Sequence, residues 1–155
     1  MTPWDSVPRL DGVRVLVVED RALVREVVVD ALEQCGAEVQ TACCAAEGLE
    51  LLQAHRPDAC LTSLAMPGQD GYWLIRQIRE LPPERGRATP AAAFTGRSTE
   101  QDRLEVLEAG FQAHIPKPVD LPALIEVVAQ LALRASTDST ARLGSADPPV
   151  IPTPD

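Results

Sequence analysis

Glu19 and Asp20 are adjacent carboxylates directly behind a short β-branched run, Val13 to Val18. Such a pair can hold one hard divalent cation, most simply Mg2+ with several waters retained. It can equally cap the next helix and favour its N-terminal dipole. Lys117 stands between Pro116 and Pro118, whose rings fix the backbone, so its ammonium can be aimed at an anion or at the acid pair. A solvated loop lysine satisfies the same spacing. Thr95, behind another apolar run, can offer a hydroxyl to a phosphoryl oxygen or simply end a strand. Cys43 and Cys44 are vicinal, with His55 not far behind, but no C-x-x-C pair occurs. Four small thiols in a reducing compartment account for Cys35, Cys43, Cys44 and Cys60 without a metal.

The elements that must position these groups alternate along the chain. Val13 to Val18 suits a strand buried on both faces. Val24, Val27, Val28, Ala31, Leu32 and Cys35 then trace one face of a helix, with Gly36 placed as its C-terminal cap. Four further pairs follow. The strands are Ala37 to Thr41, Ala59 to Thr62, Ala91 to Phe94 and Ala113 to Ile115. The helices are marked by Ala45, Leu49 and Leu52; by Leu74, Ile75, Ile78 and Leu81; by Ser98 with Gln101 as a capping box; and by Asp120 as the cap of a last helix to about Arg134. Five β-α units with short connections predict a parallel sheet with helices on both faces. Ligands then bind outside the carboxyl ends of the strands, where Glu19, Asp20, Ser63, Thr95 and Lys117 fall. Residues 1–10 read as a lead-in, 11–134 as the folded domain and 135–155 as a disordered tail rich in Ser, Thr and Pro.

Composition narrows the function. The 155 residues fit one domain able to bury a core without staples. A formal charge of −9, from 23 acids and 14 bases, argues against nucleic acid as a partner. No apolar run reaches the length of a membrane span, and Met1 to Gly12 has no apolar core of a secretory signal, so a cytoplasmic address is expected. No Gly-rich phosphate loop follows the first strand, which leaves a nucleotide-binding enzyme without support.

In order, V-L-V-V-E-D, M-P-G-x-D-G, F-T-G and P-K-P resemble the receiver domain of two-component response regulators over about residues 12–134. Leu10-Asp11-Gly12, Gly71-Tyr72, Leu81-Pro82-Pro83-Glu84 and Gly110 to His114 resemble receivers attached to hybrid sensor histidine kinases. The resemblance implies a flavodoxin-like α/β fold, a five-stranded parallel sheet of order 2-1-3-4-5 with five helices. It implies a phosphoryl group received from a histidine kinase on an aspartate at the end of the third strand. It also implies Mg2+ on Glu19, Asp20 and the Ala65 carbonyl, phosphoryl oxygens on Thr95 and Lys117, and a switch position at His114.

Met66 fixes the acceptor position as residue 63, and residue 63 is serine. Asp58 precedes the strand and Asp70 follows the turn, so neither replaces it. A carboxylate is a ready nucleophile, whereas a hydroxyl needs a general base. The serine oxygen lies closer to the backbone by roughly one bond length, so in-line attack is lost. With one carboxylate fewer, Mg2+ binding should weaken, and Lys117 should pair with the acid pair instead. The expectation is an atypical receiver, not an enzyme, that acts as a protein-interaction module. Its partners would be a histidine kinase or another two-component protein, with Val127 and Leu131 offering a homodimer surface on the face of the fourth helix, fifth strand and fifth helix. The alternative is an ordinary Mg-dependent phospho-accepting receiver, with Ser63 a replacement or itself modified.

Overall fold

The computed structural model describes residues 6–96 and 99–146. Five parallel strands, β1 (Arg14–Val18), β2 (Glu38–Ala42), β3 (Ala59–Ser63), β4 (Ala91–Thr95) and β5 (Ala113–Pro116), stand in the order β2-β1-β3-β4-β5. Helices α1 (Ala22–Gln34), α2 (Ala45–His55), α3 (Gly71–Arg79), α4 (Glu100–Ala109) and α5 (Leu121–Ala146) connect or follow them. The alternation predicts this parallel sheet with helices on both faces, and the family resemblance its flavodoxin-like order.

The period-2 alternation of β1 feeds two cores. Val15 and Val17 join Val28, Leu32, Leu124 and Val128 on the α1/α5 side. Leu16 and Val18 join Leu52, Leu74, Ile75 and Ile78 on the α2/α3 side. The inner strands β3 and β4 are buried at every position, which is why they read as unbroken apolar runs. In α2, Gly48 permits close contact with β1, because a Cβ there would meet Val18 Cγ2 at 2.7 Å.

Several boundaries differ from the sequence reading. The lead-in is not loose throughout: Leu10 is buried and donates its N–H to Cys35 O at 2.7 Å, strapping the end of α1, while Val7 packs on the same core. Residues 1–5 lie outside the described residues. Helix α4 is capped by Thr99, not by Ser98 with Gln101, because Asp102 completes the box by accepting from both the Thr99 N–H and its hydroxyl. Ser98 itself lies outside the described residues. Helix α5 continues past Arg134 to Ala146, since no proline or glycine interrupts its ladder before Gly144. The last part of the expected tail, residues 147–155, lies outside the described residues.

Val27, expected on the buried face of α1, is 46% exposed. Leu131, expected on a partner surface, is 2% exposed inside the α1/α5 core, and Val127 is half-buried against it. The stripe Leu124, Ile125, Val128 simply extends one turn further. Leu131→Ala is therefore expected to cost about 2–5 kcal/mol of stability in urea unfolding. A loss well under 1 kcal/mol would place Leu131 outside the core after all.

Candidate functional site

The carboxyl ends of β1, β3, β4 and β5 converge, and each delivers one polar side chain. Glu19 follows β1 and is fully buried. Its position is fixed by three backbone contacts: its N–H donates to Ala42 O at 3.0 Å, its Oε2 accepts the Arg21 N–H at 2.9 Å, and its carbonyl accepts Arg25 Nη1 at 2.7 Å. Asp20, the next residue, is half-buried. Ser63 ends β3 at 1% exposure. Thr95 ends β4, buried, and its carbonyl accepts the Lys117 N–H at 2.8 Å, which seats the loop after β5. The Lys117–Pro118 peptide bond is cis.

Lys117 closes the site. Its Nζ donates to Ser63 Oγ at 2.9 Å and to Glu19 Oε1 at 3.3 Å. The lysine side chain is 21% exposed and the glutamate 1%, so the ion pair is largely shielded from water. The sequence led us to expect Lys117 on both acids; it pairs with Glu19 alone and gives its other bond to the serine.

The loop after β3 is held by backbone contact. Gly71 donates its N–H to Leu64 O at 2.8 Å, and Asp70 caps α3 by accepting the Trp73 N–H at 2.9 Å. A Cβ on Gly71 would run into the Ser63 carbonyl and approach Leu64 Cα to 2.9 Å. Only glycine allows α3 to start this close to β3. Asp58 sits at the other end of the sheet, where its Oδ2 accepts the Arg14 N–H at 2.9 Å, so it is remote from Ser63.

A cavity of about 500 Å³ opens beside these groups, and its lining includes Ser63, Thr95, Lys117 and Arg21 together with Leu64, Tyr72 and Val106. The donors for a cation are few. Glu19 has both carboxylate oxygens hydrogen-bonded, Ser63 offers a neutral hydroxyl already taken by Lys117, and Ala65 is an exposed loop residue. Among the described residues no group of three or more His, Cys, Asp or Glu side chains could hold a metal ion. Asp20 and Glu19 with the Ala65 carbonyl are the residues that could hold Mg2+, with waters completing its shell.

The structure thus brings together Glu19, Ser63, Thr95 and Lys117, with Asp20 and Ala65 beside them. His114 is half-buried on β5, in register with Ala93, two residues before Thr95 on β4. Leu131 is buried in the α1/α5 core, and Val127 is half-buried against it. Cys43 and Cys44 are exposed at the entry of α2, Cys35 and Cys60 are buried, and burial pushes the Cys60 thiol up to about 12, which makes it inert. Sequence reasoning missed Arg21 as a cavity residue. It also missed an apolar groove of about 590 Å³ between α1 and the loop after β5, where Leu23 is 75% exposed beside Val27. The i, i+4 spacing of Leu23 and Val27 was the available signal.

Comparisons with known proteins agree with this geometry. Residues 15–129 match the family model described as the response regulator receiver domain. An uncharacterized 14.6 kDa protein of Leptolyngbya boryana is 39% identical over 125 residues, covering 81% of this chain and 94% of that protein. The response regulator MprA of Mycobacterium sp. (strain KMS) is 35% identical over 126 residues, covering 81% of this chain and 53% of the regulator. The sensor histidine kinase RcsC of Salmonella typhi is 32% identical over 124 residues, which is 80% of this chain and 13% of the kinase. The chain therefore spans about half the length of the one and a small part of the other. Among solved structures, the receiver domain of sensor histidine kinase PA1611 from Pseudomonas aeruginosa PAO1, with a magnesium ion coordinated in its active site cleft, superposes with a TM-score of 0.71. It is 28% identical and covers 78% of this chain and 98% of that one. On the family match and these relatives, the chain belongs to the response regulator receiver domain family.

Proposed function

We propose that this chain is an atypical receiver of two-component signalling whose output does not depend on phosphorylation at the usual position. The observation that carries the reading is the 2.9 Å bond from Lys117 Nζ to Ser63 Oγ. At the end of β3, where the family resemblance puts the acceptor aspartate, the side chain is a buried hydroxyl held by a cation. A hydroxyl hydrogen-bonded to an ammonium has no general base beside it, and Lys117 stabilises its lone pair instead of removing its proton. Glu19 is held by Lys117 and the Arg21 amide, so the acid pocket is closed without a metal. Mg2+ binding at Glu19, Asp20 and the Ala65 carbonyl is weak in this reading, and self-phosphorylation is lost.

The partner is a histidine kinase or another two-component protein, met in the cytoplasm. The resemblance to receivers of hybrid kinases supports this. So do the apolar residues Leu23 and Val27, which give α1 a contact face that Leu131 does not. Among the described residues no helix is long and apolar enough to cross a membrane.

Calorimetric titration with Mg2+ tests the site. The wild type is expected to bind at least about tenfold more weakly than Ser63→Asp, the ratio that about 1.4 kcal/mol from one extra carboxylate ligand gives. Equal affinity in the two proteins would show that the pocket does not lack a ligand.

A further inference from the structure

Helix α1 carries an apolar knob and an apolar groove side by side. Leu23 is 75% exposed, and Val27, one turn further on, is 46% exposed. They border the groove of about 590 Å³, whose lining includes Val24 and Val28 of α1 with Pro118, Val119 and Leu121 after β5. A lone exposed leucine is ordinary, but one at the lip of an apolar groove makes a contiguous patch.

The charges of this helix are also unmatched within the chain. Arg21, exposed at its N-terminal end, has no anionic side-chain partner among the described residues. Asp30 is exposed and accepts from Gln34 Nε2 at 2.9 Å, with no cation beside it among the described residues. The two stand about 14 Å apart along the axis, too far to pair with each other. A foreign acidic helix would satisfy Arg21 and leave Asp30 unmatched, and a basic one the reverse. A second α1 laid antiparallel satisfies both. The register that sets Leu23 against Val27 of the second copy also sets Arg21 against its Asp30. The midpoints of the two pairs, at residue 25 and between residues 25 and 26, nearly coincide. A parallel arrangement would stack Asp30 on Asp30 instead. Glu26 lies about a quarter turn from the line of Leu23 and Val27, at the wet rim of this seam, where like charges cost little.

We infer that α1 is a self-association face of this chain. Two copies pair about a two-fold axis, α1 antiparallel to α1. Each Leu23 enters the groove of the other copy, and two Arg21–Asp30 ion pairs close the ends. The inference rests on the proposed reading of Leu23 and Val27 as a partner face, and it names the partner. A patch of this size supports a weak, reversible dimer, not an obligate one.

The test is sedimentation equilibrium of the full chain from about 10 µM to about 1 mM, where a dissociation constant of about 100 µM is expected. Leu23→Asp should stay monomeric throughout. Asp30→Arg should weaken the dimer about tenfold, because the two-fold axis applies the change twice. Adding Arg21→Glu to Asp30→Arg should restore it to within about threefold of wild type. All three positions are exposed, and the far-ultraviolet circular dichroism of each variant should match wild type. Leu104→Asp, at a 42% exposed position on α4, should change nothing. A wild type that stays monomeric, or a dimer lost in Leu104→Asp and kept in Leu23→Asp, overturns the α1 dimer. No recovery in the double variant overturns the antiparallel register. Sedimentation does not read residue 63, so either failure leaves the phosphorylation-independent reading standing. A phosphoryl gain on wild-type Ser63, read by intact mass, removes that reading and leaves the dimer in place.

Discussion

Lys117→Ala is expected to lower the unfolding free energy by about 3–5 kcal/mol, the usual result of removing one partner of a buried ion pair. Glu19 has no exposure to water and would keep only the Arg21 amide on its carboxylate. Ser63 would lose the donor to its oxygen at the same time. Lys117→Met separates charge from packing, since the methionine keeps the apolar stem. It should cost nearly as much as the alanine. Adding Glu19→Gln to Lys117→Met should recover most of the loss, because the uncompensated charge is then gone. Urea unfolding of the four proteins gives the answer. A loss below about 1 kcal/mol in Lys117→Ala would mean that the pair behaves as a surface contact, and the picture of a pocket closed by Lys117 would fall.

Arg79→Ala carries the second large effect. This arginine ends α3 and has no carboxylate partner among the described residues. Its Nε and Nη2 donate to Gly110 O at 3.1 and 2.8 Å, its Nη1 to Arg87 O and Thr89 O at 2.6 and 2.7 Å, and Nη2 also to Gln112 Oε1 at 3.1 Å. Gln112 Oε1 in turn accepts the Ala91 N–H at 2.7 Å. One guanidinium therefore ties α3 to the entry of β4 and to the turn between α4 and β5. Burial holds its pKa below the usual arginine value, yet the group stays charged at every pH at which the protein folds. Hydrogen bonds to charged groups are worth about 1.5–3 kcal/mol each, and water recovers some of them at this half-buried site. A net loss of about 3–4 kcal/mol is expected on that basis. Arg79→Lys should recover little, because a point ammonium cannot span carbonyls from two separate segments. A midpoint in urea within error of wild type for Arg79→Ala would contradict the clamp.

Much of this was legible in the sequence, for identifiable reasons. Inner strands buried on both faces leave unbroken runs such as Val15 to Val18 and Ala91 to Phe94, and the helices between them show their 3.6 period. The parallel sheet then places every strand's carboxyl end on one edge, so Glu19, Ser63, Thr95 and Lys117 could be grouped before any coordinate. Asp120 announced its cap, and it does cap: its carboxylate accepts the Ala123 N–H at 3.3 Å. What failed has physical causes. Ser98 and Thr99 are equally good capping residues, and only the Asp102 carboxylate decides between them. Leu10 is a single apolar residue without a period, so its burial depends on tertiary contact with the end of α1. Ser136 to Thr140 are poor helix formers and read locally as the end of α5, but without a proline they do not break its backbone ladder. Leu131 was legible and misread: it continues the i, i+3 stripe from Val128 and belongs to the core. Arg21 was hidden behind the two acids it follows, and its place in the cavity is a property of the fold.

Phosphoryl uptake at residue 63 tests the central claim most directly. The wild type and Ser63→Asp are each incubated with Mg2+ and acetyl phosphate, and their intact masses are measured. The account predicts no gain for the wild type and one labile phosphoryl group on Ser63→Asp, so that the serine alone disables an otherwise competent pocket. A wild-type chain that gains a phosphoryl group stable to mild base would contradict it, because Ser63 or another hydroxyl would then be a true acceptor.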